Sequence, residues 1–140
     1  MPQTELLLYF GGVIHFAILI ASAMVPRVLD WRGNLAKLPR MLRQLFWVYG
    51  VFIVLTIIGF GTLSLVHAGA LAAGDPLGRW LCGFIAIFWT LRLGVQFFVF
   101  DLRPYLTTPF LRAGHYLLTL AFIFLVTIYG GIAGGFFPTP

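Results

Sequence analysis

Acidic side chains are scarce in this chain. There are four in 140 residues, Glu5, Asp30, Asp75 and Asp101, and none lies inside a long apolar run. Without paired carboxylates in a span, there is little means for acid–base chemistry within a membrane. Cysteine is scarcer still. Cys82 stands alone, which excludes an internal disulfide, a CxxC redox pair and a thiolate zinc framework. Its expected state is a buried, inert thiol. Metal-protease spacing of the HExxH kind is absent, and Ser22 and Ser64 have no recognisable nucleophile context. The expectation from these absences is that the chain alone is not an enzyme. Charged residues of both signs make up only 9% of the sequence, against ~25% in soluble domains.

Hydrophobic residues fill that space: they are 61% of the chain, with a mean hydropathy of +1.00. Four apolar runs are long enough to cross a hydrocarbon core of ~30 Å. They cover about 6–25, 45–66, 80–100 and 113–136. Backbone groups in lipid must pair within their own segment, so each run is expected to be a helix. A membrane barrel would show alternating polar and apolar residues, and these runs do not. The expected fold is an all-α integral membrane protein of one domain, residues 1–140. Its four transmembrane helices should form an up-down-up-down bundle, because the connections are short.

The net charge of +5 would suggest nucleic acid in a soluble protein. Here the cations flank apolar runs, which points to topology and lipid contact, with no nucleic-acid partner expected. The basic loop 26–44 holds Arg27, Arg32, Lys37, Arg40 and Arg43 against Asp30, and Arg103 and Arg112 flank the later connection beside Asp101. Glu5, Asp75 and Arg79 occupy the other side. The positive-inside bias makes the basic side cytoplasmic and leaves both termini on the non-cytoplasmic side. Ala21-Ser22-Ala23 resembles a signal cleavage site, yet Glu5 and no cation precedes the run, so a retained, N-out first span is expected. In a bacterial cell this is a multi-pass protein of the inner membrane.

Punctuation supports these limits. Pro26 should close the first span, and Pro39 fits the first turn of the second helix. Gly74-Asp75-Pro76 should make a tight outer connection, while Pro104 and Pro109 should interrupt helix in the inner one. In residues 30–41 and at the next position, Trp31, Leu35, Leu38 and Leu42 fall at helical spacing. They form either a short helix lying on an anionic leaflet or a basic lead into a longer second helix. Trp31, Trp47 and Trp80 fall near interfaces, but Trp89 lies deep in the third run.

Glycine gathers toward the outer ends of the spans. Gly130/Gly134 and Gly131/Gly135 are overlapping GxxxG spacings, and Gly11, Gly12, Gly59 and Gly61 lie at similar levels. Such spacings allow close helix contact, within the bundle or with another subunit or copy.

Polar side chains gather in the inner half. At ~1.5 Å per residue, Tyr49 and Gln96 lie about 8 Å in, Arg92 about 14 Å, His15 about 18 Å and His115 about 5 Å. Arg92 and Gln96, four apart, share a face of the third helix. A charge at that depth costs ~2.5–3.5 kcal/mol on insertion scales, so Arg92 should face protein or water. It could be a structural contact, a fork of donors for an anionic or carbonyl-bearing amphiphile, or part of a solute path. The expected ligand site is a polar pocket of Arg92, Gln96, His15, Tyr49 and His115 that holds a lipid or quinone. The chain would then be an accessory subunit or amphiphile-binding module. The alternatives are an oligomeric transporter or channel, and a redox-complex subunit sharing a haem or quinone with a partner. Haem within one chain is disfavoured, because the depths of His15, His67 and His115 differ by about 10 Å or more. No metal site is expected.

Overall fold

The computed structural model describes residues 3–28, 30–98 and 108–137, and these are helical apart from short turns. The helices, in order, are α1 (Gln3–Ser22), α2 (Val25–Val28), α3 (Trp31–Ala36), α4 (Arg40–Val66), α5 (Ala68–Ala72), α6 (Pro76–Phe98) and α7 (Pro109–Gly134). α1 with its extension to Arg27, α4, α6 and α7 are each long and apolar enough to cross a membrane. The hydroxyls of Thr56, Thr90 and Thr127 each donate to the carbonyl four residues earlier, at 2.7–2.8 Å. These three hydroxyls are thereby satisfied within their own helix.

The helix ends follow local chemistry. Thr108 caps α7 by accepting the Leu111 amide at 3.2 Å, and Pro109 takes the first helical position, where its missing donor costs nothing. Gly135, at φ 77°, ends α7 in the left-handed region, and the Phe136 amide turns back to the Gly131 carbonyl at 2.8 Å. Asp30, at φ 49°, starts α3 with its carboxylate on the Gly33 amide.

Helix boundaries differ from the apolar runs where a helix continues beyond them. α4 starts at Arg40 and α7 at Pro109, each about a turn earlier than the apolar run. Pro26 lies inside α2, since α1 has already ended at Ser22. The 30–41 stretch combines both expectations, a short α3 followed by an early start to α4. Gly74, at φ 85°, makes the turn before Pro76, and the short α5 precedes it. Asp101, Arg103, Pro104 and the end of the third run lie outside the described residues.

Packing divides into two close pairs, α1 with α4 and α6 with α7, joined mainly through α1 and α7. Lipid tails are as apolar as leucine, so these contacts depend on fit rather than on a hydrophobic gradient. Glycine provides the fit between α1 and α4. A Cβ on Gly12 would lie 2.7 Å from the Leu65 Cγ and 3.0 Å from the Gly61 carbonyl, and one on Gly61 would lie 2.7 Å from the Phe16 ring. Gly59 points into open space, so it is not part of this contact. Cys82 is fully buried among the apolar residues of the core.

α4 is the least packed span. In its most apolar stretch 17% of residues are buried, against 28% in each of the other three. Ile57 is buried, yet every residue from Val51 to Leu55 is exposed. Five consecutive residues cover all sides of a helix. This turn of α4 is therefore exposed on every side.

Candidate functional site

Polar side-chain pairs cross between helices at three levels of the bundle. They begin with Tyr129 on α7, whose hydroxyl meets Ser64 on α4. Ser64 donates its own proton to the Phe60 carbonyl at 2.9 Å, so Tyr129 is the donor in the pair. A Cβ on Gly11 would lie 2.8 Å from the Tyr129 oxygen, so α1 closes directly over this hydroxyl.

The second contact joins α6 to α1. The Trp89 indole Nε1 donates to His15 Nε2 at 2.9 Å, and His15 Nδ1 lies 2.7 Å from the Gly11 carbonyl. An indole can only donate and a carbonyl can only accept, so the imidazole carries its single proton on Nδ1. Both ring nitrogens are thus committed to protein partners. His15 is also edge-on to Phe60, Trp89 and Tyr129, at centroid distances of 6.0, 5.3 and 5.7 Å. One buried imidazole therefore touches α4, α6 and α7 from its place on α1.

The third contact joins α6 to α7. Gln96 Nε2 donates to the Thr119 hydroxyl at 2.6 Å, and Thr119 donates to the His115 carbonyl at 2.9 Å. Arg92 lies one turn before Gln96, half-buried, with its guanidinium carbon 5.3 Å from the centroid of the Phe122 ring. Phe122 stacks on Trp89 at 5.2 Å. A cation over an aromatic ring is attracted by its quadrupole, and more strongly where water is excluded.

The expected site residues thus separate. Arg92 and Gln96 share a stripe of α6, and that stripe meets α7 at Phe122 and Thr119. His115 contributes its backbone carbonyl there, while its ring lies beside Tyr116 at 5.7 Å. His15 joins the same region only through Trp89. Tyr49 is 61% exposed on α4 and is brought together with none of the others. Trp89, Tyr129, Ser64 and Thr119 were not among the expected site residues. The available signal was Trp89, an indole far from either interface. Among the described residues no three His, Cys, Asp or Glu side chains gather as a metal site.

The GxxxG glycines have partners within the chain. Gly130 faces Ala86 on α6, Gly131 and Gly134 lie beneath the Phe137 and Phe136 rings, and Gly135 makes the closing turn near Arg79. Arg79 Nε donates to the Ala133 carbonyl at 3.1 Å, which holds α6 and α7 together at that end.

Four spanning helices cross-linked by buried polar contacts define a multi-pass helical membrane protein. In comparisons with known proteins, the chain matches no family model, no curated protein and no solved structure.

Proposed function

We propose that this is a multi-pass protein of a bacterial cytoplasmic membrane that binds an amphiphile, a lipid or a quinone, beside Arg92. It acts as an accessory module rather than as an enzyme by itself. Its helices run up-down-up-down with both termini on the non-cytoplasmic side, and the Arg27–Arg43 segment faces the cytoplasm. The five cations of that segment against one acid support the orientation.

One observation supports the binding reading: Arg92 is half-buried on α6, one turn beyond a ring contact between α4 and α6. Phe88, one turn before it on α6, packs against Phe60 of α4 at 5.3 Å. The exposed turn Val51–Leu55 lies five to nine residues before Phe60 on α4. Beyond that contact the α6 stripe continues as Arg92 and Gln96, while α4 becomes exposed over Val51–Leu55. A guanidinium held at this depth presents a planar set of donors suited to a carboxylate, phosphate or carbonyl oxygen. The apolar turn of α4 is suited to the hydrocarbon part of the same molecule.

The test is native mass spectrometry of the full chain, extracted from its own membrane in mild detergent. The wild type should retain a lipid- or quinone-sized adduct that Arg92→Leu loses and Arg92→Lys keeps in part. Equal adducts in wild type and Arg92→Leu, with Arg92→Leu the more heat-stable, would make Arg92 a packing residue and end the reading.

A further inference from the structure

The segment between α1 and α4 does not spread its cations evenly. α2, α3 and the start of α4 surround an open cavity of about 790 Å³. Arg27 from α2, Arg32 from α3 and Arg43 from α4 line it, whereas Lys37 and Arg40 do not. Among the described residues Asp30 is the one acid in the lining, and one of its oxygens accepts the Gly33 amide that begins α3. Three arginines against one aspartate give these described residues an excess of two positive charges.

The remaining wall is aromatic and apolar. Trp31 packs edge-on against Phe46 at 4.8 Å and Trp47 at 5.6 Å, and Leu35 is buried behind it. Indoles at the end of a spanning helix combine an apolar body with a polar edge, as a membrane interface requires. The volume falls within the ~300–1,000 Å³ typical of pockets that take small molecules.

We infer that this cavity binds the phosphate head group of an anionic membrane lipid. Arginine is always charged, and its planar fork matches two phosphate oxygens at once. Three forks arriving from three separate helices can surround one tetrahedral anion, while Trp31 and Trp47 lie against the glycerol region. A lipid is favoured over free phosphate by position. The cavity lies at the ends of two membrane-spanning helices, and α4 leads from it to the exposed apolar turn Val51–Leu55, a track for an acyl chain. Arg92 is not in the lining of this cavity, and the inference rests on the three arginines rather than on the reading of Arg92.

The experiment uses the full chain in mild detergent, with phosphatidylglycerol and phosphatidylcholine of identical acyl chains as probes and native mass spectrometry as the readout. The wild type should retain phosphatidylglycerol in preference. Arg27→Gln, Arg32→Gln and Arg43→Gln should each weaken it about fivefold, which corresponds to ~1 kcal/mol per cation near an anionic surface. The double variant Lys37→Gln/Arg40→Gln removes two charges outside the cavity and should leave the preference unchanged. Three results overturn the inference: equal retention of the two lipids, an equal loss in the Lys37/Arg40 variant, or inorganic phosphate competing mole for mole with the lipid. The second would mean diffuse attraction, and the third a site for free anion.

Discussion

Trp89 and His15, separated by 74 residues of chain, meet in the core with indole Nε1 donating to imidazole Nε2 at 2.9 Å. Both side chains are almost completely buried, at 1% and 0% exposure. In hydrocarbon neither group has water as an alternative partner, so each depends on the other to satisfy it. The bond also joins the two helix pairs, because His15 belongs to α1 and Trp89 to α6.

A double-mutant cycle with Trp89→Phe and His15→Leu should therefore give a favourable coupling of ~0.6–1.7 kcal/mol, the range for hydrogen bonds between membrane helices. Thermal or denaturant unfolding in one fixed detergent measures it. Strictly additive single-variant effects would show that the bond contributes no net stability.

Glycine substitutions should separate by sign. Gly12→Ala and Gly61→Ala place a methyl about 2.7 Å from Leu65 and Phe16 respectively, and overpacking of this kind costs ~1–3 kcal/mol. Gly50 and Gly59 face open space, so alanine there should be neutral or should stabilise the helix by up to ~1 kcal/mol. Melting temperatures of the four variants decide the matter, and a loss at Gly59 equal to that at Gly61 would contradict the α1–α4 interface.

Gly11→Ala should destabilise through the Tyr129 hydroxyl, which lies 2.8 Å from the added methyl position. Tyr129→Phe removes that oxygen at a cost of ~1 kcal/mol for its lost hydrogen bond. It should also relieve part of the clash, so Gly11→Ala/Tyr129→Phe should lose less stability than the sum of the single changes. A sum or worse would place the strain on the ring itself.

For topology, alkaline phosphatase fused after Pro140 should be active, and the same enzyme fused within the Arg27–Arg43 segment should be inactive. The opposite pattern would invert the bundle in the membrane.

The spans were legible because a long apolar run leaves a chain in lipid only one backbone solution. Their ends were less so, since nothing in an apolar count records that α4 continues back through Arg43 to Arg40, or that Thr108 and Pro109 start α7 early. The side chains at Arg92 and Gln96 were readable as a pair because four residues is one helical turn. Counting along an axis gives depth but no direction around it. Tyr49 therefore fell at the expected level yet faces outward, and Gly59 fell beside Gly61 in sequence but on another side of α4. α4 is apolar on nearly every side through that stretch, so its sequence holds no azimuthal signal to correct this. Ser64 with Tyr129 and His15 with Trp89 are contacts between distant segments, and their partners appear only once the helices are packed.

The unsupported turn of α4 makes the surrounding solvent part of the molecule's architecture. Val51–Leu55 are each exposed, so in a membrane the surrounding hydrocarbon covers much of this turn. The melting temperature should therefore rise with detergent chain length and rise again in a bilayer. Comparisons between variants therefore belong in one fixed lipid environment.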